Sequence, residues 1–403
     1  MMKQLTYTKF QVELVLSNKL NTENKKKILI ISPTPTHPPF AGNRSAILSY
    51  SELLTSLGHE VEFLFVDTTN KLDEKEQTAK YWGKKFHIFE TNGWFYRKWF
   101  FRKLSFHKFI FNHFSQSYKL DNWFPPGLGK AVKKIQDDIN YDIIVVNYIW
   151  LTKLFNDITN AKKILFTHDV FSNRLEKAKQ TRYSVSSSEE LKALNRCDII
   201  LAIQEEESKY FRSLTNKKVI TTFSATSFFD TKLCDSRNIL FLGGPNDYNT
   251  QGLVNFLENI WEEVRKEISQ IKLIVGGRIC QRPEIQKYSQ IIELYGEVDN
   301  ISDFFSNADI VINPVYEGTG LKIKNIEALS HQKIVICHPH NIGGMLDQNS
   351  APLFPAENPQ EYISKLNYFF SMQENILNEK NKIKTYMKRY IKTVESRFKE
   401  ALI

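Results

Sequence analysis

No stretch of this sequence approaches the roughly 18 consecutive apolar residues that a membrane-crossing helix needs. The longest uncharged run near the start, Ile28 to Asn43, is broken by Pro33, Pro35, Pro38 and Pro39. The four cysteines, Cys197, Cys234, Cys280 and Cys337, are far apart and make no C-x-x-C pair. That argues against both a zinc site and a disulfide framework, and it fits a reducing compartment. There is no G-x-G-x-x-G and no Walker loop, so nicotinamide cofactors and ATP hydrolysis lose their usual marker. Residues 1–24 hold Lys and Glu but no apolar core ending in small residues, and so read as a polar leader rather than a secretory signal. The expected location is the cytoplasm, either free or peripheral on the inner face of the plasma membrane.

What is present is an ordinary folded composition with two excesses. Hydrophobic residues make up 42% and charged residues 25% of the 403, which excludes a disordered or collagen-like chain. At roughly 100–200 residues per domain, the length predicts two or three domains. The excesses are aromatic, with Phe 29 and Tyr 17, and cationic, with Lys+Arg 54 against Asp+Glu 45, net +9. The charge is unevenly placed. Residues 1–225 carry 34 basic and 23 acidic side chains, whereas residues 226–403 carry 20 and 22. Segment 80–134 alone has twelve Lys and Arg against Glu90 and Asp121.

Short apolar runs followed by helical stretches set the architecture. Residues 27–32 read as a buried parallel strand, residues 44–57 as a helix stopped by Gly58, and residues 60–66 as the next strand. Further β-branched runs at 142–146, 163–167, 198–203 and 218–221 alternate with helical stretches. Periodicity then fails over 224–237, and a second series starts afresh. Its strands fall at 239–242, 271–275, 291–295, 309–313 and 333–337, with helices near 250–266, 302–307, 321–330 and 358–371. The expected fold class is α/β, two Rossmann-like doubly wound domains facing a central cleft. Residues 25–225 form the first domain, with a basic aromatic insertion near 80–134. Residues 226–236 are the linker, 237–371 the second domain, and 372–403 a helix packing back on the first. In such sheets ligands lie beyond the carboxyl ends of the strands, so function is sought in the loops there.

One loop combines a strand end, glycines and a helix start: Asn313-Pro-Val-Tyr-Glu-Gly-Thr-Gly-Leu-Lys-Ile-Lys-Asn-Ile-Glu-Ala-Leu329. Gly318 and Gly320 allow close backbone approach, and the helix that follows presents unpaired N–H groups and its positive dipole end, which suits phosphate. Lys322 in the first turn adds charge for a diphosphate, and Glu327 can accept hydrogen bonds from ribose hydroxyls. The other reading is a left-handed loop before a solvated Lys/Glu helix. A second cluster, Thr167 to Arg174, directly follows a strand. There His168 either hydrogen-bonds a sugar hydroxyl and polarises a reacting group or is structural, and Asp169 and Arg174 are equally readable as a helix cap and a surface charge. A third, Pro38 to Arg44, either brings backbone N–H groups at Gly42 to the cleft or is a proline-stiffened turn. Glu205 to Glu207 complement a helix dipole. Ser184 to Ser188 read as a flexible loop, and His338 and His340 lack an acidic or Cys partner in sequence, so no metal site is expected.

Residues 94–114 hold ten aromatic residues and five Lys or Arg. Three readings are open: a surface that docks on anionic lipid, a stacking platform for single-stranded nucleic acid, or core aromatics beside a solvated basic face. The basic doublets recur every five residues, which at 100° per residue walks around a helix instead of forming one face. The partner taken is an anionic membrane surface, and nucleic acid is not taken as one.

The run Asn313 to Ser330 resembles the donor-site motif of the retaining nucleotide-sugar glycosyltransferases with the GT-B fold, in the large family-four group. Residues 167–174 and 202–207 are similar to further stretches of that group, and the resemblance covers about residues 27–370. It implies transfer of a hexose from a nucleotide diphosphate sugar, bound mainly by the second domain, to a glycan or lipid-linked acceptor held mainly by the first. No cofactor and no metal are implied, only the nucleotide sugar as co-substrate. Matched residue by residue, it implies catalytic roles for His168, Glu317 and Lys322. Donor binding falls to Gly318, Thr319, Gly320, Leu321, Lys322, Lys324, Glu327, Gly243 and Gly244, and the acceptor-side loop to Gly42, Asn43, Arg44 and Asp169. The sequence departs from the pattern twice. Glu317 and Glu327 are ten apart where eight is usual, and Gly243-Gly-Pro-Asn-Asp-Tyr-Asn249 stands where an Arg and a Lys are usual. Two further readings are a non-catalytic partner of this fold that binds acceptor, and a nucleotide-sugar epimerase.

Overall fold

Two parallel sheets, one in each half of the chain, organise the described residues, which in this computed structural model are 25–39, 42–68, 71–91, 119–172, 184–234, 236–318 and 321–403. The polar leader, the 94–114 segment, Arg174, Thr319 and Gly320 therefore lie outside the described residues. The first sheet contains β1 (Lys27–Ser32), β2 (Glu60–Asp67), β3 (Phe86–Glu90), β4 (Ile143–Asn147), β5 (Lys162–Phe166), β6 (Ile199–Ala202) and β7 (Lys218–Thr221), in the order β3-β2-β1-β4-β5-β6-β7. The second contains β8 (Asn238–Leu242), β9 (Lys272–Gly276), β10 (Glu293–Gly296), β11 (Ile310–Asn313), β12 (Ile334–Cys337) and β13 (Leu353–Pro355), in the order β10-β9-β8-β11-β12-β13. Each is doubly wound. The chain runs outward from β1 or β8 on one side, then returns to continue on the other through β4 or β11. The order reverses beside β1 in one sheet and beside β8 in the other, which is where such sheets open a crevice.

Burial explains why the strands read so clearly. Along β1, Ile28 and Ile30 pack into one core while Leu29 and Ile31 pack into another on the opposite face, and all four are fully buried. Side chains alternate across a strand, so a strand covered on both faces is apolar throughout. Two strands depart from this signal. Phe86–Glu90 lies inside the segment expected as an insertion near 80–134, yet it is the edge strand of the first sheet, paired with β2 through Phe63↔Phe86 to Asp67↔Glu90. Leu353–Pro355, three residues long, is the edge of the second sheet. The helix expected near 250–266 runs as α-helix over Asp247–Phe256 and Glu262–Glu267, with a π turn at Leu257–Trp261 that keeps Leu257, Ile260 and Trp261 all buried.

Four helices position the cleft and are labelled in chain order: α1 (Gly42–Ser56), α2 (Glu205–Leu214), α3 (Ile323–Ser330) and α4 (Gln373–Leu402). Helix α4 ties the halves together. Its Ile383 and Met387 belong to a core shared by both sheets, and near its end Phe398 stacks on Tyr50 of α1 with ring centroids 5.8 Å apart. Between these points the Tyr390 hydroxyl donates to the Ser224 carbonyl (2.9 Å) and accepts from the Ser224 amide (3.1 Å), so the helix clamps the strap that leaves the first sheet. Burial of an aromatic side chain such as Phe398, which is 2% exposed, is worth roughly 1.5–3 kcal/mol.

Candidate active site

The carboxyl ends of the two sheets face each other. At Gly42, the first residue of α1, an added Cβ would sit 3.4 Å from Cδ1 of Ile323, the first residue of α3, so the two helix N-termini meet across the cleft. Gly344 has φ +82° and presses on the first domain so closely that a Cβ there would come 2.1 Å from Oε1 of Gln204.

On the second-domain side, β11 ends at Asn313 and the chain passes to α3 through the expected glycine loop. Gly318 has φ +117°, open to glycine and rarely adopted by other residues. Its carbonyl accepts from Lys322 Nζ (2.9 Å) and is 2.8 Å from His340 Nε2. Lys324 reaches Asn249 Oδ1 (2.5 Å) and lies over the Phe241 ring at 4.8 Å. It thereby places a cation beside the Gly243–Asn249 turn, whose own sequence has none. Burial pushes the Lys324 ammonium down to about 7, with the Glu327 charge opposing that shift. Burial likewise pushes the Glu327 carboxyl up to about 7, against the pull of Lys324. The two are one coupled pair on α3, three residues apart. Lys322 is also held below the usual lysine range by burial, while Asp169 of the facing domain favours its charge.

The loop is held by side chains that no sequence signal marked. Asn313 Nδ2 donates to Asn325 Oδ1 (2.8 Å), Asn325 Nδ2 to the Asn341 carbonyl (3.0 Å), and Asn341 Nδ2 to the carbonyls of Asn313 (2.9 Å) and Val315 (2.7 Å). All three are buried, and they fasten the end of β11, the start of α3 and the turn after β12 into one unit. Leu321 is core, 7% exposed, and Glu317 is exposed.

On the first-domain side, His168 follows β5 with φ +61° and Tyr148 follows β4 with φ +69°, positive values that are uncommon outside glycine. The His168 ring stacks on Phe166 (4.3 Å between centroids) and lies 4.7 Å from Tyr148, with Nε2 2.7 Å from Asn147 Oδ1. Burial lowers the imidazole to about 3, so it is neutral at ordinary pH. Glu190 is fully buried and accepts from the Phe171 and Ser172 amides (2.8 and 3.1 Å) and from the Ser172 hydroxyl, which pins the loop behind His168. Glu207, in the first turn of α2, accepts from Gln204 Nε2 (3.0 Å). Burial first, and then the charge of Asp169, push its carboxyl up to about 8.

In the acceptor-side loop, Asn43 Nδ2 donates to the Tyr148 hydroxyl (3.3 Å), which joins it to the His168 group. Arg44 is engaged elsewhere. Its guanidinium pairs with Glu74 (2.8 Å) and donates to the Pro38 carbonyl (3.4 Å), a role in fastening the loop. Gly243 and Gly244 follow β8, and the Gly244 carbonyl receives Asn249 Nδ2 (3.0 Å). The segment at 184–188 is more ordered than its composition suggests, since Ser186 caps the helix Ser187–Leu194 by accepting from the Glu189 amide. Among the described residues, no group of three or more His, Cys, Asp or Glu is arranged to hold a metal ion, and no helix is long and apolar enough to cross a membrane.

Comparison with known proteins places this geometry. Residues 236–371 match the family described as Glycosyl transferases group 1. An uncharacterized 44.6 kDa protein in the cps region of Klebsiella pneumoniae is 26% identical over 338 residues, 77% of this chain and 82% of that one. Among solved structures, sucrose-phosphate synthase from Thermosynechococcus elongatus superimposes with a TM-score of 0.62 at 14% identity, covering 93% of this chain and 98% of that chain. HepE from Anabaena, solved in complex with UDP and glucose, gives a TM-score of 0.61 at 12% identity, covering 94% and 99%.

Proposed function

We propose, from the premise that this chain is a glycosyltransferase of the GT-B fold with a group 1 domain over residues 236–371, that it transfers a hexose with retention from a nucleotide diphosphate sugar to a surface-glycan or lipid-linked acceptor. The observation that carries this reading is the set of groups at the start of α3. Its N-terminal amides, Lys322 and Lys324 converge where the second sheet opens, with Glu327 one turn further on. In this reading the diphosphate lies at that helix end. It takes over from Gly318 and Asn249 as the partner of the two lysines, and Glu327 accepts from the ribose hydroxyls.

Across the cleft, the His168 imidazole receives a hydroxyl of the donor sugar, and Gly42 and Asn43 border the acceptor. The acceptor oxygen bonds to the anomeric carbon as the bond from that carbon to the diphosphate oxygen breaks, and the acceptor proton passes to the departing diphosphate. The protein contributes positioning and charge where the diphosphate leaves. Glucose with UDP in the Anabaena relative supports a hexose donor, and a relative in a cps region is in keeping with a surface-glycan acceptor.

A panel of nucleotide sugars tests the reading, scored first by thermal shift as stabilisation of the native state and then by turnover. Stabilisation by at least one donor, with sugar transfer to a lipid-linked or glycan acceptor, is expected; hydrolysis or epimerisation alone, or no binding, would reject it. The proposed membrane contact at 94–114 has its own test. Binding to anionic vesicles should weaken with salt and on neutralising Arg97, Lys98, Arg102 and Lys103, and binding indifferent to both would remove that part.

A further inference from the structure

We propose that Asn147 is a positioning residue that holds His168 in a single tautomer, with its proton on Nε2, so that Nδ1 meets the substrate only as a hydrogen-bond acceptor. Asn147 is the last residue of β4, fully buried between β1 and β5. Its Nδ2 donates to the carbonyl of Ile31 in β1 (3.1 Å). A backbone carbonyl can only accept, so the amide nitrogen must face it and the amide oxygen must face the other way. That oxygen receives the Tyr50 hydroxyl (3.0 Å) and is 2.7 Å from His168 Nε2. Tyr50 is 1% exposed, and burial raises its hydroxyl far above the ordinary range, so it remains a donor.

An oxygen that already accepts from Tyr50 can be approached so closely by Nε2 only if Nε2 carries hydrogen. In a neutral imidazole the other nitrogen is then a bare lone pair. The ring has little freedom to turn over, since Phe166 stacks on it and Tyr148, itself linked to Asn43, lies against it. The inference deepens the transferase reading, on which it rests for its substrate. A lone pair at Nδ1 accepts from a sugar hydroxyl and repels a carboxylate or phosphate oxygen, so this side of the cleft favours neutral hexose over uronate.

The test reads tautomer and kinetics separately. In protein labelled with 15N histidine, the His168 signals, identified by their loss in His168→Gln, are expected to show protonated Nε2 and bare Nδ1 from pH 6 to 8. A proton on Nδ1, or a doubly protonated ring, in the wild type would overturn the proposal without any variant. Asn147→Asp keeps the shape but offers a carboxylate, so His168 is expected to become doubly protonated near neutral pH. With that change, kcat/KM for a neutral hexose donor should fall at least tenfold, while the Kd for the nucleoside diphosphate stays within about twofold. An unchanged tautomer with unchanged kcat/KM would overturn it. Tyr50→Phe leaves the Ile31 and His168 bonds in place and should keep the tautomer, and loss of it there would overturn the assignment to Asn147. Failure of the wild type to transfer sugar would reject the transferase reading alone, because the tautomer is read on the free protein.

Discussion

The two faces of the cleft gather ionisable groups of the type opposite to the excess in the domains they belong to. Residues 1–225 hold 34 basic against 23 acidic side chains, yet the groups around His168 are Asp169, Glu190 and Glu207. Residues 226–403 hold 20 against 22, yet their cleft face presents Lys322 and Lys324 at a helix N-terminus. Net charge describes the surface as a whole, and it bears on solubility and encounter; the field in a site comes from the few groups that strand ends and helix ends place there. The faces also differ in how replaceable the partners of their polar groups are. On the first, buried side chains near the histidine bond to backbone, Asn147 donating to the Ile31 carbonyl and Glu190 accepting from the Ser172 amide. In the second, Lys322 and Lys324 bond to the Gly318 carbonyl and the Asn249 amide, uncharged partners that a diphosphate can replace.

Breaking the second face should cost activity most. Glu327→Gln is expected to lower kcat/KM by about a hundredfold, the scale of one or two charged hydrogen bonds, with the fold intact. A loss below about threefold in steady-state kinetics would leave Glu327 without its role. Next, Lys324→Met should weaken nucleoside diphosphate binding about tenfold by calorimetry, whereas Asp169→Asn on the facing loop should change it little. The pH dependence sharpens this contrast. Since Lys324 titrates at about 7 and a diphosphate favours its ammonium form, diphosphate binding should take up a proton there and weaken as pH rises from 6 to 8, a dependence that Lys324→Met flattens.

The first face should show itself in stability instead. The Glu207 carboxyl is raised to about 8, so the folded protein keeps a proton that the unfolded chain releases above about 4.5, and stability falls as pH climbs between those values. Glu207→Gln removes that loss and should stabilise by about 1–2 kcal/mol at pH 8 and by little at pH 5, measured by denaturant unfolding. The smallest effect belongs to Asp121, away from the cleft. Burial tends to raise its carboxyl, but hydrogen bonds from Arg196 and Lys192 outweigh that and hold it at about 2. Its contribution is complete above about 3.8 and is lost as pH falls through 2, so Asp121→Asn should cost about 1 kcal/mol at pH 7 and nothing at pH 1.5.

Eleven of the strands stand where apolar runs predict them, whereas Phe86–Glu90 and Leu353–Pro355 escape the pattern for one shared reason. Both lie at a sheet edge and are largely exposed or half-buried along their length, so the apolar run that marks an inner strand is diluted; the edge strand β7 stays legible because Val219, Ile220 and Thr221 are buried. Within the site, the helix start with Lys322, Lys324 and Glu327 and the histidine after β5 are legible because strand, glycine loop and helix follow each other in sequence. Asn147, the trio Asn313, Asn325 and Asn341, and Glu190 are not legible. Asn147 bonds to Ile31 across 116 positions, and Asn341 to Asn313 across 28.

Local order of apolar and glycine residues therefore determined two parallel sheets, the cleft between them and the phosphate-suited helix end. Only the tertiary structure decided how the site is held: which cation stands by the Gly243–Asn249 turn, that Arg44 fastens its own loop, and which nitrogen of His168 carries hydrogen. Periodicity is a property of neighbours along the chain, but a hydrogen-bond partner is set by packing, which brings together residues whose sequence positions carry no record of the meeting.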